Sequence, residues 1–158
     1  MTDQNTEVSA AAFHEFLHLH FPIAAAMQVT VDTFTEDEVV LRTPLTPNQN
    51  VHQTGFAGSL YSLGALAGWG LVHGWLAGTR PGATLLIGRG EIDYRRPVRR
   101  EFTATASMKH DRSRTTFLDA VSRCERAELE LGAVIRSESE EAAIFTGHFV
   151  VLNEQRTS

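Results

Sequence analysis

Pro47-Asn48-Gln49-Asn50-Val51-His52-Gln53-Thr54-Gly55-Phe56-Ala57-Gly58-Ser59-Leu60-Tyr61-Ser62-Leu63 is the stretch on which the reading of this chain turns. A proline-led polar loop passes into a start marked by Gly55, Gly58 and Ser59, and then into a long apolar helix. At such a start the backbone N–H groups lack intrahelical acceptors, and the helix dipole adds partial positive charge. That suits an anion, or a carbonyl oxygen that gains negative charge during a reaction. Asn50, His52, Gln53 and Thr54 form a polar cluster beside it, and the candidate site is placed here.

The helix itself has two readings. Residues 59–77 contain no Asp, Glu, Lys or Arg, and roughly 20 uncharged residues are enough to span a bilayer. Glycines at 64, 68, 70, 74 and 78 even supply the small-residue spacings of membrane helix pairs. Yet the run carries His73, two serines and a heavy glycine load, and alternating strands follow it. A helix hydrophobic all round can equally be one wrapped by its own protein. That reading is preferred, with no membrane partner.

Working outward, residues 8–21 pattern as an amphipathic helix, with Phe13, Phe16, Leu17 and Phe21 near one face and Pro22 ending it. Residues 27–34 and 39–45 read as a β-hairpin across an acidic turn. After the central helix, the cluster Gly78-Thr79-Arg80-Pro81-Gly82 is a strong breaker. Residues 84–94 and 102–109 read as strands. Ser113 is the expected N-cap of a short helix through Cys124. Residues 127–135 and 142–152 close the pattern as two more strands. The predicted class is α+β: six mainly antiparallel strands wrapped around a long central helix, with an N-terminal helix and a short extra helix before the fifth strand.

Composition bounds the function. A chain of 158 residues is expected to be a single domain (1–158), with an ordered core of about residues 8–153. Its net charge of −5 argues against a nucleic-acid partner. A lone cysteine, Cys124, excludes an intramolecular disulfide and fits a reducing compartment. The N-terminal residues show neither a basic region nor an apolar stretch of the kind a signal peptide needs, so the expected location is cytoplasmic.

Three segments together resemble the hot-dog fold of acyl-CoA thioesterases and dehydratases. They are residues 48–63, then Ile92-Asp93-Tyr94-Arg95-Arg96-Pro97-Val98, and Phe145-Thr146-Gly147-His148-Phe149-Val150-Val151-Leu152. Within that superfamily the chain is most similar to the bacterial putative-thioesterase domain found C-terminal to acetyltransferase domains. The resemblance implies a homodimer or dimer of dimers acting on an acyl-CoA or acyl-carrier thioester. It also implies that Gly58 supplies the N–H that polarises the thioester carbonyl, while Asn50 helps to position water. The acidic residue that many relatives carry in the helix falls near Ala65 here, and the helix has no carboxylate at all.

The missing base leaves alternatives open. Water activation can come from His52, from Asp93 or from a partner subunit, with Ser59 or Ser62 assisting as hydrogen-bond donors. Thr54, Phe56, Ala57, Tyr61 and Ser62 are the expected substrate contacts along the loop and helix. Arg95, Arg96 and Arg99, part of a stripe with Arg89 and Arg100, suit the phosphates of coenzyme A, while Glu91, Asp93 and Glu101 stand ready to balance them. His14-Glu15-Phe16-Leu17-His18 matches the His-Glu-x-x-His zinc pattern, but it sits on an ordinary amphipathic helix and no metal is expected. No cofactor is implied, coenzyme A being part of the substrate. A non-hydrolytic acyl-thioester binding or regulatory module, or a dehydratase or isomerase, are the competing functions.

Overall fold

The computed structural model describes residues 9–153. The Ser9 side chain accepts from the Ala12 N–H at 3.1 Å and caps α1 (Ala10–His20); the expected start at Val8 lies outside the described residues. Pro22 does more than end that helix. It opens a short α2 (Pro22–Ala26), because its fixed φ and missing N–H suit a first helical position. Gln28 then takes φ 58°, so β1 (Thr30–Phe34) begins three residues later than the pattern predicts. β2 (Glu38–Thr43) and a single 3-10 turn (Thr46–Asn48) lead to the polar loop and α3 (Ala57–Thr79). β3 (Leu85–Tyr94), β4 (Phe102–Ser107), α4 (Arg112–Ser122), β5 (Ala127–Ser137) and β6 (Glu140–Val151) follow. The cap of α4 is Asp111, which accepts from the Arg114 N–H at 2.9 Å, and Ser113 lies inside the helix. Asp111 wins because a charged oxygen accepts more strongly at the positive helix end.

The strands form one antiparallel sheet in the order β1-β2-β4-β5-β6-β3. Among the described residues β3, ten residues long, therefore has one edge without a neighbouring strand. α3 lies against the sheet, and its glycines set how closely. A Cβ on Gly64 would come within 2.7 Å of the Phe145 Cβ, and one on Gly68 within 2.7 Å of the Phe149 ring. Both phenylalanines belong to β6 and are fully buried. On the opposite side Gly70 receives the Phe13 ring of α1, which a Cβ would meet at 2.6 Å. Covered on both sides, α3 needs no polar face. No helix among the described residues is long and apolar enough to cross a membrane.

Among the described residues one charged side chain is buried in this framework. Arg114 of α4 reaches Asp37 at 2.8 Å and Glu36 at 2.5 Å in the β1–β2 turn, and its guanidinium lies 4.6 Å from the Trp75 ring centre. The Trp75 indole donates to the Glu36 carbonyl at 2.7 Å. The turn, α3 and α4 are thus clamped together. Beyond the end of α4, Cys124 takes φ 58° and is exposed.

Two stability outcomes follow from these contacts. Gly64→Ala should lower stability by about 1–3 kcal/mol, because the clash is with a Cβ that cannot swing away. Gly78→Ala meets nothing within 4 Å and should gain about 0.5–1 kcal/mol from the helix preference of alanine. Denaturant midpoints of the two variants check both signs.

His73 lies half-buried on α3, stacked 4.6 Å from Trp69 and 4.8 Å from Phe16. Burial, and then the charge of nearby His20, hold its imidazole below the ordinary 6.5. The unfolded chain therefore binds a proton at a pH where the native protein does not. Stability from this residue is complete above 6.5 and is lost as pH falls through the lowered native value. His73→Phe keeps the stacking, and urea midpoints between pH 7.5 and pH 5 should fall less for it than for the wild type.

Candidate active site

The loop before α3 is built by two asparagines with different tasks. Asn48 is fully buried, and its amide donates to the Met27 and Pro44 carbonyls at 2.9 and 2.8 Å and to the Thr43 hydroxyl at 2.9 Å. The Thr43 hydroxyl donates to the same Met27 carbonyl. The Phe56 N–H in turn donates to the Asn48 carbonyl at 2.7 Å, so the strand end, the loop and the helix start are tied at one point. The sequence marks Asn48 only as an asparagine after a proline in a polar loop, with no signal that it is buried.

Asn50 folds its side chain back into its own loop. Its carbonyl oxygen accepts from the N–H groups of His52 at 2.9 Å and Thr54 at 3.2 Å, and its amide donates to the Thr54 hydroxyl at 3.0 Å and the Gly55 carbonyl at 3.4 Å. Asn50 and Thr54 thus come together as expected neighbours. Gln53, at φ 61°, completes the tight turn. The Gly55 N–H donates to the Val98 carbonyl at 2.7 Å and brings in the segment after β3.

These ties enclose an open cleft of about 320 Å³. Asn50, Gly55, Ala57 and Leu60 line one side, and Tyr94 with Arg95, Arg96, Pro97 and Val98 lines the other. α3 starts in this wall with Phe56 as its N-cap, and no side chain caps it. Ser59 and Leu60 N–H both turn back to the Phe56 carbonyl, whereas no protein group among the described residues accepts from Ala57 or Gly58. The Phe56 ring, half exposed, lies over the Cα of Gly58. Two free N–H groups thus sit at the positive end of a 23-residue helix.

The other candidates are distributed less simply. Ser59 is buried, while Ser62 is half-buried further along α3. Tyr61 packs its ring edge-on to Phe145 at 5.1 Å, with its hydroxyl in the space left by the missing side chain of Gly90. His52 is exposed and does not line the cleft. Asp93 faces away from α3. A bulge between Ile87 and Arg89 shifts the register of β3 on β6, so Gly90, Ile92 and Tyr94 turn inward and Asp93 turns outward. Simple alternation from buried Leu85 would place Asp93 inside. In the structure Asp93 is exposed and paired with Arg95 at 3.1 Å.

The arginine stripe is largely neutralised. Arg95 also reaches Glu141 at 3.4 Å, Arg96 pairs with Glu140 at 2.8 Å, Arg89 with Glu91 at 2.5 Å and Arg100 with Glu138 at 3.3 Å. Of the five arginines, only Arg99 has no carboxylate in ion-pair reach among the described residues. Exposed pairs of this kind contribute at most about 1 kcal/mol each, so a phosphate can displace them. Elsewhere, His148 pairs with Glu130 at 2.9 Å on the outer sheet face. The His18 Nε2 is 2.6 Å from the Val29 carbonyl, which requires a proton there and removes that nitrogen as a metal donor.

A six-stranded antiparallel sheet around one buried helix, with the helix start open at a polar loop, is the arrangement of hot-dog fold thioesterases. Residues 10–153 match the family model described as "Putative thioesterase (yiiD_Cterm)", and the chain belongs to this family. At the level of reaction class it is accordingly a thioesterase. Three solved structures share the fold. A protein of unknown function from Chlorobaculum tepidum is 24% identical, with 95% of this chain and 100% of that one covered and a TM-score of 0.84. A putative thioesterase from Shewanella oneidensis is 24% identical over 90% and 96%, with a TM-score of 0.80. A probable thioesterase from Pseudomonas aeruginosa is 20% identical over 89% and 94%, with a TM-score of 0.74.

Asn50 lines the cleft while its side chain is bonded within the loop, so these bonds hold the shape of that wall. Asn50→Ala removes the side-chain hydrogen bonds to His52, Thr54 and Gly55 and should cost about 1–3 kcal/mol of stability. A thermal midpoint equal to that of the wild type would remove this shaping role.

Proposed function

We propose that the protein hydrolyses acyl thioesters of coenzyme A or an acyl carrier, with the thioester carbonyl seated at the start of α3. The observation that carries this reading is the uncapped helix start opening onto the cleft. α1 and α4 are capped by Ser9 and Asp111, whereas α3 leaves Ala57 and Gly58 N–H free beside Asn50. In hydrolysis, water adds to the carbonyl carbon, the oxygen gains negative charge, and the thiolate leaves and takes up a proton. Donors fixed before that charge develops stabilise the transition state without reorganising. The acyl group would follow the face of α3 carrying Ser62 and Ala65, and Arg99, with Arg95 and Arg96 after exchange of their carboxylate partners, would meet the phosphates. No metal or redox cofactor is needed for such a step.

Among the described residues no carboxylate lines the cleft, and α3 carries none. The free edge of β3 supports a homodimer, since an unpaired strand of ten residues is a template for another strand. A second copy would lie close to Tyr94, where it would complete the site and supply the group that activates water. The exposed, unpaired Cys124 is in keeping with the cytoplasm.

The test is thiol release from acyl-CoAs of graded chain length by the purified protein. Turnover of at least one chain length is expected. Measurable acyl-CoA binding without thiol release would sink the hydrolase reading in favour of a binding module.

A further inference from the structure

Tyr94 enters the site through a single bond. Its hydroxyl donates to the Ala57 carbonyl oxygen at 2.7 Å, joining the end of β3 to the first turn of α3. That oxygen and the Gly58 N–H are opposite ends of one conjugated, planar peptide unit. A hydrogen bond to the oxygen draws electron density from the nitrogen, and the N–H becomes a stronger donor. The same bond anchors the peptide plane, which in a helix's first turn has fewer restraints than in later ones. Gly58 lacks a side chain to add any.

We propose that Tyr94 is a positioning residue for the reaction: through the Ala57–Gly58 peptide it orients and strengthens the Gly58 N–H that meets the thioester oxygen. Its catalytic meaning rests on the hydrolase reading above, while the coupling between Tyr94 and Gly58 does not. Nothing else among the described residues has its hydroxyl on that carbonyl. Burial, and then the nearby Tyr61 phenol, push the Tyr94 hydroxyl above its ordinary 10.0, so it remains a donor throughout the neutral range. The residue also lines the cleft together with Asn50 and Ala57. Being half exposed, it is not a core residue whose loss would collapse the fold.

Tyr94→Phe keeps the ring and deletes only the donor. In amide NMR spectra the Gly58 proton should move upfield in this variant, with Gly78, at the far end of α3, unmoved as the control. In thiol-release assays kcat should fall about tenfold while KM stays within about twofold, the effect of weakening an oxyanion donor rather than a binding contact. Tyr94→Leu, which also lacks the donor, should lower kcat at least as far as Tyr94→Phe; a Tyr94→Leu kcat equal to that of the wild type overturns the proposal. An unmoved Gly58 resonance overturns the proposal whatever the rate does. A shifted resonance with unchanged kcat overturns the positioning role, as does a loss carried by KM. If the wild type turns over no acyl thioester, the hydrolase reading falls, and the Gly58 shift alone then decides whether the coupling exists.

Discussion

Close contact between α3 and the rings of β6 is the constraint on which this structure depends. Gly64 and Gly68 let Phe145 and Phe149 lie directly on the helix backbone, and Gly70 does the same for Phe13 on the opposite side. Interiors are packed to crystal-like density, so such contacts fix the helix along and around its axis. The position of the helix start relative to the rim of the sheet is a consequence. Because α3 cannot slide, Ala57 meets the hydroxyl of Tyr94 and lines the cleft at the start of the helix.

A helix with one polar face would expose that face and need less support. α3 instead gains its stability from being wrapped, which frees its N-terminus from the need for a cap. A missing cap costs about 1 kcal/mol, small against the burial of twelve helix residues. The unsatisfied donors are therefore tolerated by the fold and available to chemistry. Around them the polar groups are spent on geometry: Asn48 ties the loop to Met27 and Thr43, and Asn50 closes the loop on itself. In the function proposed above, the thioester carbonyl takes the place of the acceptor that a cap would have supplied.

Charge is arranged on the same logic. The arginines after β3 are held in exposed pairs that cost little to exchange, whereas Arg114, buried against Trp75, is structural. The two kinds are alike in sequence. Their difference is burial, which raises the cost of losing a partner from nearly nothing to several kcal/mol.

Local sequence determined the order of elements, the wrapped central helix and the open helix start, because periodicity, breakers and the run without charge at 59–77 are properties of neighbouring residues. It also brought Asn50, Thr54, Ala57 and Gly58 to one place, since they lie within nine positions of one another. Which residues face them was decided by the tertiary structure. The bulge beyond Ile87 reverses the inward side of β3, turning Asp93 out and Tyr94 in, and only the faint signal of Gly88 inside a strand points to it. The partners of Arg95 and Arg96 on β6 likewise depend on a register set forty-odd residues away. A one-residue change in pairing exchanges the two faces of a strand, and that choice is made by the packed sheet rather than by the strand itself.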